Sequence, residues 1–373
     1  MLTQINLQSH FGGGEVYTAF LCRALDALNV NTKLLVHPDA LFWKTLSLPG
    51  NTKIIKVNLD SLVKSISNHD TWLIGHGALP PEVLNAKDQY LKTAIAHMPV
   101  QGRSSAPYRD HDMVFPVSGW VQEGLVKANI PTWDRPLYGV ADLSISKKNS
   151  TIRKTSRYDW DERKVRDLLF GKVEPFVQPF LNKPKFIKKP GITLGIVSRI
   201  TPIKQFPLLF SLLSKILSKH PQFNLEIFGS GGYASVRDLK KALYPIRDRV
   251  RFWGHQSNVS LVYKQLDYLI TGLPEKEALG LNIIEAQTCG VPVLAPNAPP
   301  FTEIIMDNHT GFLYTDPRID NGESFDQLLK KISSLTKRID PTTEVDHLNK
   351  FSLESFTHRI GLITNWVEKE GYL

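Results

Sequence analysis

Cysteine is nearly absent from this chain. Cys22 and Cys289 are the only two in 373 residues, which excludes a disulfide framework and a thiolate metal cluster and points to a reducing compartment. No run of eighteen apolar residues occurs, so no segment is expected to span a membrane. The opening residues, Met1 to Asn6, lack the basic region and apolar stretch of a secretion leader, so a cytoplasmic location is expected. Internal repeats, low-complexity tracts and the standard nucleic-acid recognition motifs are also missing, and nucleic acid is set aside as a partner.

What is present has an ordinary globular profile: 42% apolar residues, 22% charged residues, 24 Gly and 24 Pro. The length exceeds one domain of about 100–200 residues, so two are expected. The net charge of +9 is concentrated, because 13 Lys plus Arg stand against 5 Asp plus Glu between Ser144 and Pro190. Two readings fit that basic segment. It is either a solvated link between domains or a patch drawn to an anionic surface, a membrane leaflet or an acidic glycolipid. Trp160, Phe170, Phe176 and Phe180 interleave with its positive charges, which suits lipid headgroups as well as packing across a hinge.

Short β-branched or aromatic runs alternate with helical patterns throughout. The first series predicts strands at Thr3–Leu7, Thr32–His37, Lys53–Val57, Thr71–Ile74, Thr93–His97 and Met113–Ser118. Between the first two, Glu15–Leu28 places Val16, Ala19, Phe20, Leu25 and Leu28 on one helical stripe. The second series predicts strands at Ile192–Ser198, Asn224–Phe228, Val250–Trp253, Tyr268–Thr271 and Val291–Ala295, separated by helices such as Leu208–Lys219 and Ser235–Leu243. Such alternation implies two doubly wound parallel-sheet α/β domains, with ligands at the carboxyl ends of the strands. The proline-bearing stretch Lys183–Pro190 marks the break, giving domains over 1–182 and 183–352. A last helix over Leu353–Glu368, within 353–373, is expected to cross back to the first domain.

Four loops after predicted strands carry unusual chemistry. Gly12, Gly13 and Gly14 open the first helix, where bare backbone and unpaired N–H groups suit a phosphate or a sugar hydroxyl, although a plain tight turn would look the same. Arg199 and Lys204 follow the first strand of the second series, and two fixed cations there suit a diphosphate. Gly229-Ser230-Gly231-Gly232 fails the dinucleotide spacing at Ala234, which leaves a glycine turn near a bound nucleotide. Glu277 lies in the loop after Tyr268–Thr271, and Glu285 lies one turn into the following helix. That helix start, Gly280 to Asn282, offers N–H groups to an anion. His97 ends a predicted strand, His10 adjoins the glycine loop, and His255 follows Trp253-Gly254 at a position that suits a base pocket.

Taken in order, these loops resemble the retaining GT-B-fold glycosyltransferases, specifically glycosyltransferase family 4 (glycosyl transferases group 1). The resemblance rests on Gly13-Gly14, His97, Arg199 with Lys204, and Glu277 with Glu285 followed by Gly290-Val291-Pro292-Val293. Gly139-Val140-Ala141-Asp142, Asp267, Glu303 and Gly311-Phe312-Leu313 support it. It implies two Rossmann-like domains facing across a cleft and transfer of a sugar from a nucleoside diphosphate to a hydroxyl acceptor with retention. His97, Arg199, Lys204 and Glu277 would be catalytic. Gly13, Gly14, Gly229, His255, Ala278, Leu279, Gly280, Leu281 and Glu285 would bind substrate. UDP-sugars are favoured over GDP-sugars, no cofactor or metal is implied, and the acceptor would be a surface glycan or glycolipid at the inner face of a membrane. The chain departs from the family in two ways. About fifty residues separate Asp142 from the second series, and Ala278-Leu279 replaces the usual Gly-Phe.

Three alternatives stay open. Asp110-His111-Asp112 and Asp159-Trp160-Asp161 match the Asp-x-Asp of metal-dependent transferases, but 21 Asp residues predict roughly one such pair by accident. A sugar-nucleotide epimerase shares the two-domain architecture and needs no acceptor. A non-catalytic nucleotide-sugar-binding scaffold would share it too.

Overall fold

The computed structural model describes residues 2–67, 69–86, 89–141, 143, 151–160 and 184–373. The chain divides into two compact units, Met1–Ala141 with Asn349–Leu373, and Asp142–Leu348. The first holds strands β1 (Leu2–Asn6), β2 (Thr32–Val36), β3 (Thr52–Lys56), β4 (Trp72–Gly75), β5 (Leu91–Ala96) and β6 (Met113–Pro116). The second holds β7 (Ile192–Val197), β8 (Phe223–Phe228), β9 (Val250–Gly254), β10 (Tyr268–Ile270), β11 (Val293–Pro296) and β12 (Gly311–Tyr314). Among the described residues, helices of eight residues or more are α1 (Gly13–Ala27), α2 (Gly119–Lys127), α3 (Phe206–Leu217), α4 (Tyr233–Ala242), α5 (Leu281–Thr288), α6 (Glu323–Ser334) and α7 (Leu353–Lys369).

All ladders are parallel, in the orders β3-β2-β1-β4-β5-β6 and β12-β11-β10-β7-β8-β9. Each is the doubly wound order, which reverses direction where β1 meets β4 and where β7 meets β10. Loops leaving those strands diverge and leave room for a ligand at their carboxyl ends. The inner strands are buried, apart from half-buried Ile192 at the start of β7, as helices on both faces require. Edge strand β3 instead exposes Lys53 and Lys56, charges that discourage pairing with another chain.

Helix α7 packs on α1 in the first unit. Phe356 meets the edge of Tyr17 at 5.3 Å, and Trp366 lies 5.5 Å from Trp133. This second partner covers Tyr17, on a face outside the predicted stripe. Thr18 and Cys22 are instead buried against the sheet, where Thr18 bonds Asn6 and Cys22 packs with Leu34, Val36 and Trp43. Val16 and Leu28 at the helix ends stay half-buried.

Residues 144–150 and 161–183 lie outside the described residues, and with them much of the basic segment, the expected boundary at 182/183, and Phe170, Phe176 and Phe180. The described parts group with the second unit. Arg153 and Lys185 form an antiparallel bridge, Phe186 N donates to Ile152 O at 3.0 Å, and Thr155 N donates to Trp253 O at the end of β9 at 2.8 Å. Trp160 packs on Tyr158 with centroids 4.8 Å apart. Among the described residues no helix is long and apolar enough to cross a membrane.

Candidate active site

In the first unit, a polar network runs under the β1 and β4 ends. Gln4 and Asn6 alternate on one face of β1 and are fully buried, so each needs a partner. Gln4 donates its amide to Cys22 Sγ (3.4 Å), which turns its Oε1 toward His76 Nε2 at 2.9 Å. Asn6 donates to Thr18 Oγ1 (3.0 Å), and Thr18 donates to the carbonyl of Gly14 (2.8 Å). His76 Nδ1 lies 3.2 Å from His97 Nε2. With Gln4 Oε1 as its acceptor, His76 carries its proton on Nε2, and its Nδ1 accepts from the groups in reach, Thr18 Oγ1 at 3.0 Å or His97 Nε2. The rings stack at 5.5 Å and 11°, and Tyr17 meets His97 edge-on at 4.8 Å. Burial pushes both imidazoles down, His97 to about 4 and His76 well below its usual value, so both are neutral at pH 7.

Helix α1 begins beside this network at Gly13, with extended Gly12 as N-cap and no side-chain cap. Its first N–H groups therefore lack a capping side chain. A Cβ at Gly14 would meet nothing within 4 Å, so packing does not demand glycine there. Gly14→Ala is expected to keep stability or raise it by up to about 1 kcal/mol. Turnover should fall by about tenfold or more if a ligand uses that space. A lowered melting temperature would assign Gly14 to packing instead.

In the second unit, Arg199 and Lys204 leave β7, and Glu277 leaves β10. Because β7 and β10 are neighbours, Lys204 Nζ forms an ion pair with the Glu277 carboxylate. The sequence reading gave them separate duties, and the structure brings them together. The pair is partly buried, with side chains 22% and 16% exposed. Main-chain bonds fix the loop independently: Lys204 N donates to Thr201 O (3.1 Å) and Leu273 N donates to Lys204 O (3.3 Å). Arg199, which follows β7, is exposed. Its peptide is clamped, since Ser198 N donates to Phe228 O (3.0 Å) and Ile200 N to Ser230 O (2.8 Å). Gly229, at φ +135°, permits this approach, because a Cβ there would lie 1.9 Å from Ser198 O.

Gly280 caps α5 in the left-handed conformation (φ 92°), again with no side-chain cap. Ala278 and Leu279 are buried and Leu281 half-buried, so the uncapped N–H groups are the chemistry this turn offers. Asn282 Nδ2 donates to Val197 O at 3.3 Å and ties the helix start to the end of β7. One turn on, Glu285 Oε2 accepts from Tyr263 Oη at 2.8 Å. Burial, only partly opposed by that bond, pushes Glu285 up to about 7. A carboxyl raised in the folded chain favours folding fully below pH 4.5, and that contribution is lost as pH rises to about 7. Glu285→Gln is therefore expected to raise the melting temperature at about pH 8 and change it little at about pH 4, which thermal denaturation at the two pH values checks. His255 is exposed past edge strand β9, where Thr155 Oγ1 donates to its carbonyl at 2.9 Å.

The Asp-x-Asp pattern at Asp110-His111-Asp112 has structural work. Asp112 Oδ2 accepts from Lys92 N (2.7 Å), holding β5, and buried His111 Nε2 accepts from Leu79 N (3.0 Å). Among the described residues no three His, Cys, Asp or Glu side chains cluster as metal ligands would. Asp161 lies outside the described residues.

Sequence reasoning missed Gln4, Asn6, Thr18, His76 and Tyr263, and of Asn282 it read only the backbone N–H. Two polar residues two apart inside a strand flanked by buried positions were the available signal for Gln4 and Asn6, and His76 follows β4 just as His97 follows β5.

Residues 177–340 match the family model described as Glycosyl transferases group 1. An uncharacterized glycosyltransferase of Haemophilus influenzae is 29% identical over 173 residues, 46% of this chain and 48% of that one. The N-acetyl-alpha-D-glucosaminyl L-malate synthase of Bacillus anthracis is 30% identical over 117 residues, 31% of this chain and 30% of that one. The chain thus spans less than half the length of these curated relatives. The crystal structure of Anabaena HepE in complex with UDP and glucose aligns with a TM-score of 0.70 over 98% of this chain and 99% of that one, at 16% identity. The two six-stranded parallel sheets are those of the GT-B fold.

Proposed function

We propose that the chain is a glycosyltransferase of group 1 that moves a sugar from a nucleoside diphosphate, UDP before GDP, to an acceptor hydroxyl with retention of configuration. The observation that carries this reading is the joint placement of Arg199, Lys204, Glu277 and the uncapped α5 start around the ends of β7 and β10. As the glycosidic bond breaks, the leaving diphosphate gains negative charge. Arg199, Lys204 and the N–H groups at Gly280–Asn282 receive it, and one such contact is worth about 3–4 kcal/mol. Donor binding draws Lys204 toward phosphate and frees Glu277 to accept from sugar hydroxyls. Glu285 accepts from ribose hydroxyls, with Tyr263 orienting it. Gly229 and His255 border the nucleotide, while Ala278, Leu279 and Leu281 shape the wall. In the first unit, Gly13 and Gly14 meet sugar or phosphate, and neutral His97 meets the sugar. The departing phosphate itself takes the acceptor proton, so neither metal nor cofactor is needed.

The similarity of residues 177–340 to Glycosyl transferases group 1 supports the donor chemistry. The concentrated positive charge supports an acceptor in a surface glycan or glycolipid, met at the cytoplasmic face of a membrane. A panel of nucleotide sugars, scored for thermal stabilisation and slow acceptor-free hydrolysis, tests the reading. Stabilisation by one donor with hydrolysis to free sugar is expected. Interconversion of sugars would instead make it an epimerase, and binding without turnover a scaffold. Donor affinity should rise with pH through about 7, as Glu285 becomes the acceptor the ribose needs.

A further inference from the structure

A groove of about 500 Å³ runs along edge strand β9, wholly within the second unit. It shares no residue with the candidate active site. Among the described residues its charged lining is entirely positive: Lys154, Arg157, Lys185, Lys240, Arg247 and Arg251. Arg251 is committed to the fold, because its guanidinium grips buried Glu226 (Nε 2.8 Å from Oε1), which also accepts from Trp253 Nε1 at 2.6 Å. Arg247 faces exposed Asp248 at 3.8 Å, a weak pair. Among the described residues, Lys154, Arg157, Lys185 and Lys240 have no carboxylate within ion-pair distance. Burial and the nearby charges of Arg157 and Lys154 push the Lys240 ammonium down. Like charges around one concavity repel, and a multivalent anion would relieve them.

The rest of the lining is apolar. Phe252 lies under Lys240 at 5.8 Å, and Leu243 and Trp253 continue the wall. At the rim, Ile187 is 74% exposed, and Tyr244, beneath Arg247 at 4.5 Å, is 64% exposed. A free phosphate would use the cations alone. Cations flanked by large exposed apolar side chains fit an amphiphile.

We propose that this groove seats the phosphate headgroup of an anionic phospholipid, with Ile187 and Tyr244 entering the interface beside it. The inference deepens the proposed function, resting on it for the membrane setting alone, by giving membrane contact a defined place built from both the basic segment and the body of the second unit.

Flotation of the full chain with phosphatidylcholine vesicles, with or without phosphatidylglycerol, tests it. Donor hydrolysis by the same proteins is read in parallel, so that vesicle binding and glycosyl transfer fail or stand separately. The wild type should bind only the anionic vesicles, and less as salt rises. Lys154→Ala with Lys240→Ala should cut binding by about tenfold or more, and Ile187→Ser with Tyr244→Ser should cut it too, with hydrolysis and melting temperature unchanged. Equal binding by wild type and variants, or equal binding to neutral vesicles, would overturn the proposal. So would protection by soluble pyrophosphate that depends on Lys154 and Lys240 without vesicle binding, since the source would then be a free phosphate.

Discussion

Lys204→Ala should lower turnover by on the order of a hundredfold or more, with the melting temperature moved by no more than a few degrees. The large kinetic effect follows from the role of the ammonium, which meets charge that appears only as the sugar leaves. The small structural effect follows from how the loop is held. Its main-chain bonds to Thr201 and Leu273 do not involve the side chain, and the ion pair it loses is partly exposed. Glu277 then keeps water on one side, so its charge is not stranded. Glu277→Gln should also slow the reaction, and the double variant separates two accounts. If the pair only orders the loop, removing both partners costs little more than removing one. If each group meets a different part of the donor, the losses compound. Unchanged turnover in Lys204→Ala would remove Lys204 from the mechanism.

Gly229→Ala should behave in the opposite way, with fold and activity failing together. Its φ of +135° is hostile to a side chain, and the added Cβ would stand 1.9 Å from the Ser198 carbonyl. Strain and displaced packing of that kind cost about 2–4 kcal/mol, or roughly 5–15 °C for a unit of this size. The carbonyl that must retreat belongs to the residue before Arg199, so the guanidinium moves with it. Turnover should fall even in molecules that remain folded. Thermal melts and initial rates on the same preparation check this, and a melting temperature within a degree or so of wild type would contradict the packing argument.

These two residues also show what the chain reveals before it is folded. Parallel strands sheltered on both faces must be nearly continuous apolar runs, so eleven of the twelve could be placed from hydrophobicity and the glycines and prolines between them. Strand β12 escaped because its four residues, Gly311 to Tyr314, begin with a glycine and are too short to declare a period. Arg199, Lys204, Glu277 and Glu285 were legible as charged residues at strand ends and helix starts. The ion pair of Lys204 with Glu277 was not, because it spans 73 positions and exists only where β10 lies beside β7. Gly229 was read as a turn for a ligand, whereas its first duty is to let two strand ends approach. The network under His97 was hidden for a similar reason: Gln4, Thr18 and His76 come from three separate elements that meet only at the reversal of strand order.

A crystal structure with UDP bound tests the central claim most directly. The account predicts that the Lys204 ammonium leaves Glu277 for the diphosphate, that Arg199 joins it there, and that Glu285 accepts from the ribose hydroxyls. A diphosphate seated elsewhere, with Lys204 still paired to Glu277 and Arg199 turned to solvent, would contradict it.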